Sequence, residues 1–378
     1  MSTPLVKLGD VCEVVYGFPF NAEKFNTEGR GLPLIRIRNV LAGHSETFTD
    51  EPCPSQYHIH AGDILVGMDG DFNIAKWRSG EAVLNQRVCK LVPKESRILP
   101  GYLFHRMKQV LTAIWEKKNF VTVKHLLARD LDAVAFPLPP LDEQARIVAH
   151  LERTLGAIDA MEAKFREMAE TAERHFRATL DETFAALSSA PAAPLGEVCE
   201  VTYGYAFASE FLNSEAKGCP IIRIQNVLTG ITTTYTTEAC NPRYLIRKGD
   251  LLIGMSGDFN IARWQGAEAF LNQRVCRLAP KLGVLGGYLL YRLPEYLAQI
   301  WEAKSFTTLK NLSKQELEGL SFPLPPLAEQ ERVVARLERA EGVSRRVVAL
   351  AQEGVAQCGV YRRAVLSEAF GVGSGGDE

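Results

Sequence analysis

The hydrophobic positions follow two different periods along the chain. From residue 141 onward, apolar side chains return every three or four positions or at multiples of that step. They are Leu141, Val148, Leu151, Leu155, Ile158, Phe165 and Met168, with Glu, Arg and Lys between them. That spacing predicts an amphipathic helix with a coiled-coil seam. No proline interrupts it before Pro191, so one rod is expected over 141–187. At about 1.5 Å per residue it would be roughly 65–70 Å long. Leu327, Val334, Leu337, Val348, Val355 and Val365 carry a similar pattern and predict a second rod over 327–370. Upstream of each rod the texture changes to short apolar runs set between turn residues. Leu34-Ile35-Arg36-Ile37 and Asp63-Ile64-Leu65-Val66 read as strands, while Pro100–Lys117 and Gly286–Ala303 read as helices. The expected fold class is α+β: two duplicated α+β domains, over 1–140 and 195–326, alternate with two long helices that pair as an antiparallel coiled coil. The Ser/Ala/Pro segment 188–194 reads as a linker and the glycine-rich end 371–378 as a disordered tail.

The two halves are copies of one another. Leu8-Gly9-Asp10-Val11-Cys12-Glu13-Val14 returns as Leu195-Gly196-Glu197-Val198-Cys199-Glu200-Val201, 187 positions later. Pro33–Val40 returns as Pro220–Val227, and Gly67–Val88 matches Gly254–Val275 at 16 of 22 positions. One residue is then lost, and Phe136-Pro137-Leu138-Pro139-Pro140-Leu141 returns as Phe322–Leu327 at a shift of 186. A unit of this size is far longer than a solenoid repeat, so the chain is a duplicated domain pair.

Composition narrows what such a chain can be. Its 378 residues are 46% hydrophobic and 23% charged, ordinary values that exclude disorder-dominated and collagen-like classes. No apolar run approaches a membrane span of roughly 18–20 residues. Met1–Asp10 lacks the basic flank and apolar core of a secretion signal, so a cytoplasmic location and no membrane partner are expected. Eight cysteines without a Cys-x-x-Cys pair read as reduced, mostly buried thiols. With 43 basic and 45 acidic residues, the net charge of −2 argues against strong non-specific binding of a polyanion by the whole chain. The charge is unevenly placed, however. Residues 1–140 carry 17 basic and 15 acidic side chains and 188–326 carry 13 and 12, but 141–187 carry 6 and 10. The acidic surplus lies on the rod, so a polyanion would meet the globular parts.

Catalytic chemistry preserved by duplication should appear twice, and it does not. All seven histidines (44, 58, 60, 105, 125, 150 and 175) lie in the first copy. His58-x-His60 aligns with Leu245 and Arg247 and reads as a solvated loop rather than a metal-ligand pair. There is no Gly-x4-Gly-Lys-Ser/Thr phosphate loop, no Gly-x-Ser-x-Gly elbow, and no Asn/Asp-Pro-Pro-aromatic motif of an amino-methyltransferase. The duplicated pairs Cys12/Cys199, Cys53/Cys240 and Cys89/Cys276 have no repeated basic neighbour and read as core thiols.

What the copies do share suits polar recognition. Asp71-Phe72-Asn73-Ile74-Ala75-Lys76-Trp77 matches Asp258–Trp264, with Lys76 answered by Arg263. Asn85-Gln86-Arg87 matches Asn272-Gln273-Arg274, and Lys118, Thr122 and Lys124 match Lys304, Thr308 and Lys310. Asn and Gln bond bidentately to adenine, Arg and Lys to guanine, and Lys, Thr and backbone amides hold phosphates. A plainer reading stands beside this one. It makes Asn85, Gln86 and Asp71 turn residues, Trp77 and Trp115 core, and Arg36/Arg223 solvent-facing strand residues without a partner.

The order of these pieces resembles the specificity subunits of type I restriction-modification enzymes. The residues that carry the resemblance are Lys7–Val11 with Tyr16-Gly17-Phe18-Pro19-Phe20, Pro33–Val40, Gly62–Leu65 and Asn85–Arg87. The most telling is Phe136–Gln144, which opens the rod and returns as Phe322–Gln330. Nearly the whole chain is covered. The resemblance implies a non-catalytic subunit with two target-recognition domains for double-stranded DNA and no metal or cofactor of its own. It implies that the helices dock two methyltransferase (M) subunits that use S-adenosylmethionine, with motor-nuclease (R) subunits as an optional further partner. On that footing the candidate DNA-binding residues extend beyond the shared motifs. Tyr16, Phe18 and Phe20 join Tyr203, Tyr205 and Phe207; Arg36, Arg38 and Asn39 join Arg223, Gln225 and Asn226; Asp69, Asn73 and Arg78 join Ser256, Asn260 and Gln265.

One feature departs from the family pattern, in which the two recognition domains usually differ strongly. Here they are close copies, which predicts a bipartite target with nearly inverted half-sites around an unread spacer set by the rods. Arg38 against Gln225, Asp69 against Ser256 and Arg78 against Gln265 mark where the half-sites would differ. Two alternatives remain open: a coiled-coil scaffold that ignores DNA, and the specificity subunit of a methylation-only or related restriction class. Salt-dependent binding to duplex DNA separates the first from the rest.

Overall fold

The computed structural model describes residues 3–117, 125–304 and 310–371. The chain divides into two compact units, Met1–Phe165 with Glu353–Glu378, and Arg166–Gln352. The division falls inside both long helices rather than at their ends. Each unit therefore holds one α+β domain, the first part of the rod that follows it, and the last part of the other rod.

In the first unit a four-stranded antiparallel sheet runs in the order Cys12–Tyr16, Val88–Pro93, Ile64–Gly67, Ile74–Lys76. Cys89 faces Tyr16 on one side and Val66 on the other, which fixes the register of the central strand. A second sheet of five short strands is antiparallel except for Leu32–Ile35 and Ala82–Leu84, which run parallel with Ile35 opposite Leu84. The ribbon Leu5–Lys7/Ala135–Pro137 closes the base of the domain. Leu34–Ile37 is not one strand. The strand stops at Ile35 because the Asn39 side chain accepts the Arg36 N–H at 3.0 Å and starts the helix Ile37–Ala42. Gly43, at φ 75°, ends that helix in the left-handed region.

The expected helices Pro100–Lys117 and Gly286–Ala303 form with those bounds. The long helices are Leu141–Ala185 and Leu327–Phe370. Of the linker 188–194, Ala192–Pro194 is instead a strand paired with Ser321–Pro323, the counterpart of the first unit's basal ribbon. The second unit otherwise repeats the first, with Cys199–Tyr203, Val275–Pro280, Leu251–Gly254 and Ile261–Arg263 as its four-stranded sheet. The tail residues 372–378 lie outside the described residues.

Each core is completed by rod residues. In the first unit Leu8, Ile64, Val66, Leu103, Met107 and Phe136 pack with Leu151, and Leu366 and Phe370 of the last helix join them. In the second, Phe184 and Leu337 play that part. The rods pair antiparallel within the first unit: Arg362 bonds Asp159 and Glu162, and Phe165 fills the space that a Cβ on Gly354 would take. Within the second unit Arg336 pairs with Glu182. Leu151, Ile158 and Leu337 are buried, whereas Leu141, Met168 and Leu327 are exposed and stand outside the seam.

The residue that fastens rod to domain is polar. Gln144 is fully buried; its Oε1 accepts the Leu99 N–H at 2.8 Å, and its Nε2 donates to Arg97 O at 3.0 Å and Pro139 O at 2.9 Å. Gln330 repeats this with Leu285 N, Gly283 O and Pro325 O. The repeated Phe-Pro-Leu-Pro-Pro run thus delivers a glutamine that satisfies a buried turn of backbone.

Candidate nucleic-acid interface

The antiparallel register gathers distant segments at one edge. Val88 begins the central strand, so the ends of both neighbours, Tyr16 and Gly67, emerge beside it. Gly17 N donates to Val88 O at 3.0 Å and Met68 N to Arg87 O at 3.0 Å. The parallel pair delivers Arg36 and Asn85 to the same edge, since Asn85 N donates to Ile35 O at 3.1 Å and Phe18 N to Leu84 O at 2.8 Å. Leu126 N, bonded to Met68 O at 2.7 Å, adds His125. A Cβ on Gly17 would lie 2.1 Å from Asn85 O, so only glycine allows this approach. Gly204 meets Asn272 O at the same 2.1 Å.

Arg87 is the exposed cation at the centre of this edge. Its Nη1 donates to Asp69 Oδ2 at 2.9 Å, and Asp69 Oδ1 lies 2.5 Å from His125 Nδ1. In the second unit Arg274 Nη1 donates to Asn311 Oδ1 at 2.8 Å, and Ser256 Oγ donates to the same oxygen at 2.6 Å. The arginine is kept while its holder changes from a carboxylate to an amide and a hydroxyl. In each unit Nη1 is the tied nitrogen of an exposed arginine, and bidentate base recognition draws on two nitrogens of the same guanidinium. Gln86 and Gln273 stand exposed beside it, with Asn85 buried at 8% and Asn272 half-buried.

Phe18 is half-buried at the edge, 4.9 Å from Phe20 and 5.3 Å from Tyr57 between ring centroids. Tyr205 takes its place in the second unit, near Phe207 and Tyr244, with its hydroxyl donating to Glu238 at 2.9 Å. Arg38 and Gln225 are exposed beside Arg36 and Arg223. Asn73 and Asn260 close the hairpin turns, their carbonyls accepting Gly67 N and Gly254 N. Phe72 and Phe259, buried in those turns, adopt left-handed φ of 49° and 48°.

Several candidates do other work. Tyr16 and Tyr203 pack against the cores; burial pushes the Tyr16 hydroxyl up to about 12, and the Tyr203 hydroxyl donates to Glu318. Phe20 is buried at 7%. Asn39 and Asn226 cap turns through Arg36 N and Arg223 N. Arg36 is not a free strand residue: it is half-buried and donates to Thr47 Oγ1 at 2.6 Å, and burial lowers its pKa. Lys76 faces Ile64 at the opposite end of its hairpin, 5.4 Å over the Phe104 ring. Arg78, Arg263 and Gln265 likewise face clefts beside the rods, away from the edge. Lys304 is paired with Glu316, whose carboxyl that lysine holds down at about 2. Lys310 lies over the Trp301 ring and donates to Trp301 O. Lys118, Thr122, Lys124 and Thr308 lie outside the described residues.

His125 and Asn311 are absent from the residues the sequence singles out, because a histidine present in one copy only carries no chemistry shared by the two. The signal was there: they align at the shift of 186 and follow the matched lysine–threonine run. Trp77 is core at 2% exposure, and Trp115 is half-buried and packs against the core.

Comparison with known proteins agrees with this architecture. The model of the type I restriction modification DNA specificity domain matches twice, over residues 4–168 and 193–343. The EcoBI specificity subunit of Escherichia coli is 26% identical over 402 residues, covering 97% of this chain and 85% of that protein. The EcoKI specificity subunit of Escherichia coli strain K12 is 22% identical, covering 90% and 82%. A solved chain from a type I restriction-modification complex shares the fold at TM-score 0.78 and 22% identity, covering 98% of this chain and 97% of its own. The HsdS subunit of Thermoanaerobacter tengcongensis shares it at TM-score 0.57 and 21% identity, covering 98% and 96%. With two such domains, each presenting one arginine-centred edge, the chain belongs to the type I restriction-modification DNA specificity family.

Proposed function

We propose that this chain is the DNA sequence-specificity subunit of a type I restriction-modification enzyme, reading a bipartite, near-palindromic target with two similar edges. The observation that carries the reading is the edge repeated in both units: an exposed arginine, an Asn-Gln pair and an aromatic cluster, all set by strand register. Similar edges read similar half-sites, and the changed arginine holder, Arg38 against Gln225 and Phe18 against Tyr205 are where the two halves diverge. The chain itself makes and breaks no covalent bond. Two methyltransferase subunits dock on it and bind S-adenosylmethionine, and motor-nuclease subunits join where restriction accompanies methylation.

Sequencing the methylated positions in DNA from a host that carries this chain and its methyltransferase partner tests the proposal. The expected result is one bipartite motif with similar half-sites. Two unrelated half-sites would refute the near-palindrome, and methylation without sequence preference would refute the function. Titrating duplex DNA against the assembled subunits at several salt concentrations separates this reading from a scaffold, which would bind no DNA.

A further inference from the structure

A cleft of about 610 Å³ opens in the first unit beside the Pro100–Lys117 helix and the rod segments. Val40, Leu41, Ile74, Phe104 and Leu155 form its apolar wall. Lys76, Arg78, Lys108 and Arg362 reach it, against Glu152 and Asp159. Two of these cations are compensated. Arg362 is held by Asp159 at 2.5 Å and Glu162 at 2.8 Å, and Lys76 lies 3.8 Å from Glu152. Arg78 and Lys108 have no side-chain acceptor among the described residues. Lys108 is half-buried, and burial followed by the nearby Arg362 charge lowers its pKa.

His105 lines the same cleft at 6% exposure, with its Nδ1 enclosed and unbonded. Burial, then the Lys76 charge, pushes it down to about 4, so the ring is neutral at physiological pH. A half-buried ammonium without a partner destabilises a fold unless something completes it.

The second unit is an internal control. Its equivalent cleft, about 750 Å³, keeps the same walls of helix, hairpin and rod. At the aligned positions Gln265 replaces Arg78, Pro294 replaces Lys108, Tyr291 replaces His105 and Phe176 replaces Arg362. There the Tyr291 hydroxyl donates to Glu341 at 2.7 Å and Arg345 donates to the same carboxylate at 2.5 Å, so the polar groups satisfy one another. The fold does not require the two cations, since its copy stands without them.

We propose that the first-unit cleft binds the phosphate of a small phosphomonoester. Arg78 and Lys108 match the two charges of the dianion, and the apolar wall takes the organic part. A volume of this size is typical of small-molecule sites, within roughly 300–1,000 Å³, and is larger than free phosphate alone would fill.

Calorimetric titration of the full chain at low ionic strength tests this, with AMP, inorganic phosphate and a duplex DNA of unrelated sequence as separate probes. Saturable binding of one AMP per chain is expected. Arg78→Gln and Lys108→Gln should each weaken it about tenfold, the loss of one charge-assisted contact. Arg263→Gln, in the second unit's cleft, should leave it unchanged. Arg78 is exposed and its copy already carries glutamine, so Arg78→Gln decides the matter even if Lys108→Gln fails to fold. No saturable binding of AMP or phosphate at millimolar concentration would overturn the proposal. So would AMP affinity unchanged in Arg78→Gln, or binding of the duplex probe only.

Discussion

Replacing Gln144 with glutamate exchanges one NH2 group for oxygen, at a site where all three partners are backbone groups. The acceptor to Leu99 N survives, but the two donations, to Arg97 O and Pro139 O, do not. In its neutral form the new carboxyl can donate once, so one buried carbonyl is orphaned at a cost of about 1–3 kcal/mol. In its ionised form it would face two carbonyl oxygens with full burial, which raises its folded pKa well above the ordinary value of about 4.3. The sign follows. A raised folded pKa leaves stability intact below the unfolded pKa and removes it as pH climbs toward the folded value, at about 1.4 kcal/mol per pH unit. From pH 5 to pH 7.5 the variant should therefore lose a further ~3 kcal/mol relative to the native chain. Urea unfolding of the full chain at both pH values measures this, and hydrogen exchange at Leu99 and Leu103 localises it to the first unit. A penalty that is the same at both pH values, or below about 1 kcal/mol, would refute the account of Gln144 as the fastening between rod and domain. Gln330→Glu should reproduce the effect in the second unit, and the two penalties should add.

Arg87→Ala should relax the base preference of one half-site, and Arg274→Ala that of the other, each by about 1–3 kcal/mol in competition binding; equal weakening on all sequences would reassign them to phosphates. Arg362→Met leaves Asp159 and Glu162 facing each other in the rod seam and should destabilise the first unit by about 1 kcal/mol in denaturant titrations, less at high salt because the pair is partly exposed. Burial raises the thiols of Cys12, Cys89 and Cys276 to about 12 and Cys199 to about 11. With folded values above the unfolded 9.0, their contribution to stability is complete below pH 9 and is lost between about pH 9 and 12, which an alkaline unfolding scan would record. A maleimide at neutral pH should modify exposed Cys219 first and reach those four only on unfolding; early modification of Cys89 would contradict the packing.

The features that depend on near neighbours are legible in the order of residues alone. Apolar spacing placed both rods, because helical period is a local property. Self-similarity showed the duplicated architecture, and the ordered motifs showed the family. The plan of the recognition edge was not legible. Gly17, Arg36, Met68, Asn85 and His125 meet only because antiparallel register and one parallel strand pair align backbone hydrogen bonds between distant segments, the longest reaching from Gly17 to Val88. The same non-local pairing carried Lys76 and Arg78 to the opposite end of their hairpin, although they sit within a dozen residues of Asn85. It also decided that Leu366 and Phe370 complete the first unit's core. A helical period says which face is apolar, whereas only the packed structure says what that face meets.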